Sequence, residues 1–366
     1  MQNALSYFFP IGGGLIDLQK SGQDERFVNG EYTYYLKRFK KLYLFDYSDK
    51  IYDIGRKNMV QVVNKHRLSR FVYTLLLPFI NRDLIRQCCL IRVSHLLGMM
   101  PAIIAKILFK KPIVFNYGYD YEAFARLEKK YLRAFLFKIL KTISLKFADG
   151  VICTNKKIFQ ELKTKCRAAE FIPNRVDTSL FKPIAKIRTD GYFHILFVGR
   201  LEKQKNILNL IKAIGFQNTQ KIKVTLIGRG SQEKEIKNEA LKNHLNFQII
   251  THVGNDKLPM WYNWADLFIL PSYQEGSPKV LLEAMACGAV CLVSNIAENL
   301  DFVTHEVNGF VCETNVSSIG NGIREIMLRK DLPAISERAK ETIQKHYSFE
   351  LLMRKEVNFL TKIASL

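Results

Sequence analysis

Residues 265–294 constrain the fold of this chain most, because their pattern runs strand, loop, helix and strand. The apolar run Leu267–Leu270 predicts a buried strand, and a short polar loop follows it. Ser277 suits the N-cap of a helix, and Pro278 suits its first position, where a missing N–H group costs nothing. The helix is predicted to end at Gly288, and a second apolar run predicts the next strand. A unit of this kind predicts a parallel α/β sheet.

Two carboxylates, Glu275 and Glu283, lie around the predicted start of this helix. A carboxylate only accepts hydrogen bonds and a vicinal diol can donate two, so two such groups can hold two sugar rings. Eight residues of helix rise by about 12 Å, which is comparable with the reach from a ribose to a sugar across a diphosphate. Helix N-termini beyond the carboxyl ends of strands also attract phosphate. The pair therefore indicates a phosphorylated sugar ligand, although two solvated helix charges would produce the same pattern.

The segment around these carboxylates, EGSPKVLLEAMACG, resembles the signature of the family 4 glycosyltransferases (glycosyl transferases group 1), which are retaining enzymes with the two-Rossmann GT-B fold. Other segments resemble the same family in order and spacing. They are IPNRVDTSLFKP (172–183), FVGRLEKQKNILNLIKA (197–213), VTLIGRGSQEKEIK (224–237) and HEVNGFV (305–311). The resemblance is dense over about the C-terminal half of the chain and loose over the N-terminal half.

At 366 residues the chain is long enough for two domains, each with its own core. The resemblance implies an α/β protein of two Rossmann-like, doubly wound parallel-sheet domains that face each other across a cleft. An acceptor-side domain is expected over residues 1–187, with a C-terminal helix at about 347–366 packed back on it. A nucleotide-sugar-binding domain is expected over residues 188–346. Within the first domain, residues 62–80 are predicted to be mainly helical, and residues 121–147 form the longest predicted helix.

The cations Arg200 and Lys205 follow the strand predicted within FVGR. A forked guanidinium and a point ammonium at one predicted helix start can clamp a diphosphate. The resemblance implies that Arg200, Lys205 and Glu275 are catalytic, with the two cations stabilising charge on the departing diphosphate. It also implies that Glu275 holds hydroxyls of the donor sugar and that Glu283 holds the ribose diol.

Further donor-binding residues are implied by the same motifs, because glycines let the backbone approach the nucleotide and a helix start offers free N–H groups. They are Gly199, Gly228, Gly276, Ser277, Pro278, Lys279, Gly13 and Gly14. The last two belong to a run of three glycines after the first predicted strand, residues 4–10. Such a run can admit a phosphate, but it can equally be a plain turn. It lacks the GxGxxG spacing of a dinucleotide fingerprint, which argues against a dehydrogenase.

Fewer residues indicate where the acceptor binds than where the donor binds. The loop 116–120 follows a predicted strand, and many family members carry a catalytically important histidine near this position. This chain has no histidine in that loop, so Asp120, His95 and His66 are the acceptor-side candidates, although each could be structural. Arg175 replaces a glycine that is usual in the family, which predicts a changed turn.

The net charge of +21 is concentrated in the first half, where residues 1–180 carry 31 Lys and Arg against 15 Asp and Glu. This excess indicates an anionic partner such as membrane phospholipid, lipid-linked phosphate or nucleic acid, unless it is only a solvated surface. The apolar side chains of the predicted helix 121–147 are expected to pack on the core, with a basic face outside. The alternative is that this helix docks on an anionic membrane. No apolar run is long enough to span a bilayer, so any membrane contact is expected to be peripheral.

The seven cysteines include no CxxC pair and do not form a disulfide framework, which favours a reducing cytoplasm. We therefore expect a cytoplasmic protein, at most peripheral on the cytoplasmic face of a membrane.

The expected reaction is a retaining transfer of a sugar from a nucleotide-diphosphate sugar, with a UDP-sugar as the expected donor. The expected acceptor is a glycan or lipid-linked glycan in bacterial surface polysaccharide biosynthesis. No Asp-x-Asp pair lies in a suitable loop, so neither a metal nor another cofactor is expected. One alternative is a nucleotide-sugar epimerase on the same fold, which needs additional acid/base groups. The other is a non-enzymatic basic protein that binds nucleic acid, but it leaves the glutamate pair unexplained, so no nucleic acid partner is expected.

Overall fold

The computed structural model describes residues 3–20, 22–118, 120–127, 129–185, 190–217 and 221–365. The chain divides into two compact units. The N-terminal unit consists of Met1–Ile172 with Met353–Leu366, and the C-terminal unit is Pro173–Leu352. Residues 173–185, which the sequence assigned to the first domain, therefore group with the C-terminal unit. Residues 186–189, around the expected domain boundary, lie outside the described residues. Tyr119, in the predicted acceptor-side loop, also lies outside them.

The N-terminal unit is built on a sheet of seven strands within its described residues, and all of its strand pairs are parallel. The strands are β1 (Ala4–Phe8), β2 (Leu42–Phe45), β3 (Met59–Val62), β4 (Cys88–Val93), β5 (Ile113–Tyr117), β6 (Gly150–Cys153) and β7 (Ala169–Phe171). Their spatial order is β3-β2-β1-β4-β5-β6-β7, which is a doubly wound order that reverses between β1 and β4. Helices cover both faces of such a sheet, and accordingly every residue of β1, β2 and β6 is buried.

Helices connect these strands. They are α1 (Leu15–Lys20), α2 (Thr33–Tyr35), α3 (Arg70–Ile80), α4 (Arg82–Gln87), α5 (Met99–Phe109), α6 (Tyr121–Leu127), α7 (Tyr131–Phe147) and α8 (Lys156–Leu162). A π-helical segment, Arg26–Tyr32, precedes α2, and a 3-10 turn, Leu96–Gly98, precedes α5. α5 packs between α3 and α7, so these three helices are neighbours in the N-terminal unit.

The single helix predicted over residues 121–147 is wrong, because the chain forms two helices, α6 and α7. Lys129 takes a left-handed φ of 58° between them. The N–H group of Lys130 bonds back to the carbonyl of Ala125 at 2.8 Å, which closes the end of α6. Apolar periodicity continues across this break, so the pattern alone does not show it.

The predicted helical stretch 62–80 is helical only from Arg70 onward. Ser69 caps this helix by accepting a hydrogen bond from the N–H group of Val72 at 3.4 Å. The residues before it form a turn and the strand β3, which was not predicted. Pro78 lies inside α3.

The C-terminal unit contains a second parallel sheet, which has six strands within the described residues. The strands are β8 (Phe193–Val198), β9 (Ile222–Ile227), β10 (Asn246–Ile250), β11 (Leu267–Leu270), β12 (Cys291–Ser294) and β13 (Phe310–Cys312). Their order is β10-β9-β8-β11-β12-β13, so the direction of winding reverses between β8 and β11. Of these, β8, β11 and β12 were predicted, with small shifts of their ends. β13 was missed, because its three residues follow an Asn-Gly turn closely.

The helices that follow are α9 (Ile207–Gly215), α10 (Glu233–Lys242), α11 (Leu258–Trp264), α12 (Lys279–Ala286), α13 (Ala297–Leu300), α14 (Val316–Leu328), α15 (Leu332–His346) and α16 (Phe349–Ala364). Gly288 has a φ of +76°, which suits the predicted stop after α12. Within the described residues, no helix combines the length and the apolar character needed to cross a bilayer.

The last part of α16 belongs to the N-terminal unit. Glu356 on this helix accepts hydrogen bonds from Arg92 on β4, at 3.0 Å from Nε and 2.8 Å from Nη2. It also accepts one from the hydroxyl of Tyr35 at 2.6 Å. All three side chains are buried, so this ion pair anchors the helix to the sheet through charges that are removed from water.

The cysteines are all free thiols, as expected for a chain without a disulfide framework. Five of them are buried (Cys88, Cys153, Cys287, Cys291 and Cys312), and two are half-buried (Cys89 and Cys166). Burial raises the pKa of Cys287 to about 12. Thiols in this environment remain protonated and pack as small apolar groups.

Candidate active site

The candidate site lies at the carboxyl ends of β8 and β11, two neighbouring strands of the C-terminal unit. The strand order runs in opposite directions from this pair, so the loops that leave the two strands diverge and open a crevice. Residues 199–206 follow β8, and residues 271–278 follow β11. The residues predicted to be catalytic, Arg200, Lys205 and Glu275, all lie on these two segments.

Lys205 and Glu275 form an ion pair across the crevice. The Nζ atom of Lys205 donates to Oε1 of Glu275 at 2.6 Å and to Oε2 at 2.8 Å. The two side chains are only 12% and 7% exposed. The buried hydroxyl of Ser272 donates to Oε1 at 2.6 Å. The structure therefore brings two predicted residues together and adds Ser272, which sequence reasoning missed although it stands three residues before Glu275 in the same polar loop.

Lys205 is positioned by a tight turn. The prediction that it begins a helix is wrong. It is the last residue of a 3-10 turn, Lys203–Lys205, and α9 starts after Asn206, which has a left-handed φ of 59°. The side-chain amide of Asn206 donates to the carbonyl of Pro271 at 3.0 Å and to that of Thr314 at 2.8 Å. Because asparagine tolerates this φ, it can turn the backbone and join two loops at once.

A second contact holds the same two segments together. The side-chain amide of Gln204 donates to the carbonyl of Gln274 at 2.6 Å. The N–H group of Tyr273 donates to the carbonyl of Gln204 at 2.9 Å. The loop that carries Glu275 is thus fixed against the turn that carries Lys205, which preorganises the ion pair before any ligand arrives.

The glycines Gly199 and Gly228 pack their backbones against each other where β8 and β9 end. Their φ angles are +153° and +144°, which favour glycine. A Cβ atom on Gly228 would lie 1.9 Å from the carbonyl oxygen of Gly199. The N–H group of Gly199 already donates to the carbonyl of Ile227, and that of Gly228 donates to the carbonyl of Ile250. The geometry therefore explains these glycines by close backbone packing, and it leaves neither N–H group free for a phosphate.

Arg200 follows Gly199 at the rim of the crevice, and its side chain is exposed. Among the described residues, its guanidinium makes no ion pair within 4 Å. Nearby Glu202 is held by Ser231, which donates both its hydroxyl and its N–H group to the carboxylate. These hydrogen bonds, and then the charge of Arg200, lower the pKa of Glu202. Arg200 therefore remains a solvated cation beside the buried Lys205–Glu275 pair.

Glu283 lies in the second turn of α12 and is 2% exposed. Its Oε1 atom pairs with the ammonium of Lys279, one turn earlier, at 2.7 Å. Its Oε2 atom accepts a hydrogen bond from the hydroxyl of Tyr262 at 3.1 Å. Burial, and then the charge of Glu283, raise the pKa of Tyr262 well above its usual value, so the phenol stays protonated and donates. Lys279 was predicted at this site, whereas Tyr262 was not, because it is contributed by a different helix, α11.

The start of α12 differs from the prediction for Ser277. The helix begins at Lys279, after Pro278, and no side chain caps it. Ser277 instead accepts a hydrogen bond at its Oγ atom from the N–H group of Asn174 at 3.1 Å, and its carbonyl accepts one from the Asn174 side chain at 2.6 Å. Arg175, which follows Asn174, does not have a positive φ. This turn therefore accommodates an arginine without left-handed backbone.

The glycine run of the N-terminal unit is filled by a carboxylate. A Cβ atom on Gly14 would lie 1.8 Å from Oδ1 of Asp46. Oδ2 of Asp46 accepts a hydrogen bond from the N–H group of Leu15 at 2.8 Å, at the start of α1. Burial raises the pKa of Asp46. The buried carboxylate therefore accounts for the small residue at Gly14, whereas a Cβ on Gly13 would meet only Pro10, at 3.0 Å.

The acceptor-side candidates occupy separate strand ends of the N-terminal unit. His95 is exposed after β4, next to the end of β1 that leads into the glycine run. Partial desolvation of the imidazole ring, and then the positive charge of Arg92, lower the pKa of His95. Asp120 follows β5 and caps α6, since its carboxylate accepts a hydrogen bond from the N–H group of Ala123 at 3.1 Å. His66 is exposed in the turn after β3, two strands away from β1.

Residues 182–346 match the family model of glycosyl transferases group 1. This part of the chain belongs to the group 1 glycosyltransferases. One relative is the UDP-Gal:alpha-D-GlcNAc-diphosphoundecaprenol alpha-1,3-galactosyltransferase of Escherichia coli, which is 26% identical over 247 residues that cover 62% of each chain. For the first three curated relatives, the aligned region spans only 33–62% of the relative's own length.

Two solved structures share the fold over the whole chain. Sucrose-phosphate synthase from Thermosynechococcus elongatus matches with a TM-score of 0.80 at 17% identity, covering 100% of both chains. The Anabaena protein HepE, in complex with UDP and glucose, matches with a TM-score of 0.74 at 16% identity, covering 99% of this chain and 100% of that one. The predicted class of two parallel-sheet α/β domains of the GT-B type is confirmed.

Proposed function

We propose that the C-terminal unit binds a nucleotide-diphosphate sugar and that the protein transfers this sugar, with retention, to a glycan or lipid-linked glycan. The observation that carries the proposal is the Lys205–Glu275 ion pair where the sheet reverses, with Glu283 on the helix that follows. Support for a UDP-sugar comes from the name of the E. coli relative, which includes UDP-Gal, and from the Anabaena structure that contains UDP and glucose.

The first requirement of the reaction is departure of the diphosphate from the anomeric carbon. The carbon gains oxocarbenium character, and negative charge develops on the leaving oxygen. Because Arg200 is exposed, its guanidinium contacts the diphosphate first. Lys205 supplies the second positive charge, which it shares between the phosphate and Glu275. Cations that are already fixed in place stabilise such charge without reorganisation at the moment of reaction. The transfer is proposed to need neither a metal nor another cofactor.

Glu275 is proposed to hold hydroxyls of the donor sugar and not to attack its anomeric carbon. Its two oxygens already accept hydrogen bonds from Lys205 and Ser272, which makes the carboxylate a poor nucleophile but a fixed acceptor. Retention then follows from attack on the face that the leaving group departs from. The bond from the acceptor oxygen to the anomeric carbon forms as the bond to the phosphate oxygen breaks, and the acceptor's proton passes to the departing phosphate.

Glu283 is proposed to hold the ribose diol. The hydroxyl of Tyr262 donates to one of its oxygens, and the ammonium of Lys279 pairs with the other. A diol that donates to this carboxylate replaces part of the contact with Lys279, which then becomes available to the phosphates. The two glutamates thus act at opposite ends of one ligand, and each has a lysine partner that the ligand can share.

The acceptor is proposed to be a lipid-linked glycan handled at the cytoplasmic face of a membrane during assembly of a bacterial surface polysaccharide. Support comes from the names of relatives, which include the diphosphoundecaprenol-linked acceptor of the E. coli enzyme and a lipopolysaccharide N-acetylglucosaminetransferase of Salmonella typhimurium. The excess of positive charge in the N-terminal unit suits a phosphate-bearing acceptor. His95 and Asp120 remain the proposed acceptor-side residues of that unit.

Release of nucleotide from UDP-glucose, UDP-galactose and UDP-N-acetylglucosamine, with and without a polyprenyl-diphosphate-sugar acceptor, tests this function. A glycosyltransferase releases UDP at least tenfold faster when the acceptor is present. Conversion of the sugar without an acceptor would indicate an epimerase and would overturn the proposal.

Two matched substitutions assign the activity to the site. Lys205→Met is expected to lower the rate of transfer at least 100-fold, because the developing charge on the diphosphate loses one fixed cation. Lys237→Met, which removes an exposed lysine of α10 that pairs with Glu233, is expected to leave the rate unchanged. Equal rates for the two variants would contradict the assigned site.

A further inference from the structure

Three adjacent helices of the N-terminal unit, α3, α5 and α7, expose large apolar side chains to solvent. More than half of all such exposed side chains in the described part of the chain lie on these helices. They are Phe71, Val72, Leu75, Leu76, Phe79 and Ile80 on α3, Met100, Ile107 and Leu108 on α5, and Tyr131, Leu132, Phe135, Leu136, Ile139 and Ile143 on α7. We call these fifteen side chains the apolar face.

The sequence of α3, RFVYTLLLPFI, explains its part of this face. One side of the helix packs inward through Tyr73, Thr74, Leu77 and Pro78. After Arg70, every residue on the other side is apolar as well, so this helix lacks the polar stripe of an ordinary surface helix. A helix that is apolar all round is normally covered by protein or by lipid.

The helix α7 is oriented against the expectation from its sequence. Its apolar residues were expected to pack on the core, with a basic face outside. Instead, Tyr131, Leu132, Phe135 and Leu136 are 56–75% exposed. The expectation of a core-packed face is therefore wrong for these residues. Periodicity identifies an apolar stripe, but it does not show that protein covers the stripe.

The size of the apolar face is unusual for a soluble surface. The four aromatic residues Phe71, Phe79, Tyr131 and Phe135 are 69%, 52%, 66% and 57% exposed. At about 200 Å² for each side chain, they alone expose roughly 500 Å². This equals the largest patch on a typical monomer, and the eleven aliphatic side chains extend it further.

The charged residues on the three helices themselves are all basic, although Lys141 of α7 pairs with Glu161 of α8 at 3.1 Å. The sequences of α3, α5 and α7 contain no Asp or Glu, whereas Arg133, Lys138 and Lys146 lie on α7, and Lys129 and Lys130 precede it. The N-terminal unit as a whole carries 33 Lys and Arg against 15 Asp and Glu, which is +18 of the net +21. An apolar and anionic occupant therefore complements this face.

We propose that the apolar face is an interfacial docking surface for an anionic phospholipid bilayer. Leu and Phe side chains that enter the acyl boundary, with Lys and Arg beside them at the headgroups, are the combination that binds such a surface. Lysine is depleted at protein–protein interfaces, so the lysines next to this face favour lipid over a protein partner. The docking itself does not depend on the proposed catalytic activity.

The apolar face also adjoins the sheet edge of the N-terminal unit at which the acceptor is proposed to bind. α3 starts beside the glycine run, and a Cβ atom on Gly12 would lie 3.0 Å from the side chain of Arg70. The exposed Phe71 and Val72 follow immediately. If the acceptor is lipid-linked, which rests on the proposed function, docking by this face delivers its head group to that edge without extraction of the lipid tail from the bilayer.

Co-sedimentation of the full chain with vesicles tests the docking. Vesicles of equal parts phosphatidylglycerol and phosphatidylcholine are expected to bind the protein, and binding should weaken between 0.1 and 0.5 M NaCl because the lysines are screened. Vesicles of pure phosphatidylcholine are expected to bind at least tenfold less. Phe71→Glu combined with Leu132→Glu should lower the partition coefficient on anionic vesicles at least tenfold.

Leu328→Glu is the matched control, because Leu328 is a leucine of the C-terminal unit that is 77% exposed, against 75% for Leu132. It should bind anionic vesicles like the unchanged protein. Phe135→Ser provides a second, uncharged test if the double variant does not fold, and it should lower binding at least threefold. Light scattering without lipid is expected to give a monomer. Absent vesicle binding, equal loss in the Leu328 control, or a dimer that Leu132→Glu dissociates would each overturn the proposal.

Discussion

Replacing Lys205 with methionine is expected to destabilise the C-terminal unit by about 2–3 kcal/mol. The change leaves the carboxylate of Glu275, 7% exposed, with the hydroxyl of Ser272 as its remaining hydrogen-bond donor among the described residues. Removing one partner of a fully buried ion pair costs about 3–5 kcal/mol. Because the lysine is 12% exposed and Ser272 stays in place, the cost should fall below that range. At about 2–4 °C per kcal/mol for a unit of this size, the unfolding temperature should drop by roughly 5–10 °C.

A double-mutant cycle isolates the interaction itself. Lys205→Met, Glu275→Gln and the double variant are compared by calorimetric unfolding, and a coupling energy of at least about 1.5 kcal/mol is expected for a charged hydrogen bond of this burial. The exposed pair of Lys237 and Glu233, with a similar distance of 2.7 Å, is the matched control. Its cycle should give only about 0.3–0.5 kcal/mol. Additive effects for Lys205 and Glu275, within about 0.5 kcal/mol, would refute the preorganised pair.

The same variants separate the two roles proposed for the pair. By calorimetric titration, Lys205→Met should weaken binding of UDP about 10- to 100-fold, because the diphosphate loses a cation. Glu275→Gln should leave UDP affinity within threefold or tighten it, because the ammonium is released from its carboxylate. That variant should nevertheless lose transfer from a UDP-sugar. Equal loss of UDP affinity in both variants would show that the pair acts only as a structural support.

Other parts of the structure give three further predictions. Gly14→Ala should lower stability by about 1–3 kcal/mol in thermal unfolding, since its Cβ would overlap Asp46, whereas Gly55→Ala has open space around it and should cost only about 1 kcal/mol for its positive φ. Glu356→Gln should cost about 3 kcal/mol, because Arg92 loses its buried counter-charge; a loss below 1 kcal/mol would contradict the anchoring of α16. Burial raises thiol pKa values above the usual 9.0, to about 12 for Cys88, Cys153, Cys287 and Cys312, so the unfolded chain releases thiol protons first and stability should fall as pH rises above 9. In the native protein at pH 8, a thiol reagent should titrate at most the two half-buried cysteines.

The fold of the C-terminal unit was largely readable from the sequence. Its strands are long apolar runs bounded by glycine, proline or polar loops, and burial on both faces of a parallel sheet requires such runs. Short strands give much less signal. β3, Met59–Val62, has two half-buried positions, and β13 has only three residues, so neither differs clearly from a loop.

The site was predictable in its residue types but not in its contacts. Lys205 and Glu275 are 70 positions apart, and only the topology of the sheet brings β8 next to β11. Asn206 and Tyr262 support the site from a turn and from another helix, and nothing in their local sequence indicates this. The carboxylate of Asp46 occupies the glycine run for the same reason, because β2 lies beside β1.

The apolar face shows a different limit of sequence reasoning. Spacing predicted an amphipathic pattern in α7, and the pattern is present. In the folded unit the helix breaks at Lys129 and α5 packs against α7, and spacing along the sequence shows neither feature. These are properties of the folded unit, and for this reason the stripe was assigned to the core.

Thermal unfolding of the full chain with UDP-, GDP- and ADP-sugars tests the central claim most directly. A donor at 100 times its dissociation constant stabilises the folded protein by about 2.7 kcal/mol, so a UDP-sugar should raise the unfolding temperature by roughly 5–10 °C. Glu283→Ala and Arg200→Ala should each abolish the shift, and Glu341→Ala, an exposed glutamate of α15, should keep it. Unchanged donor binding in both site variants, or no shift with any nucleotide sugar, would contradict the account.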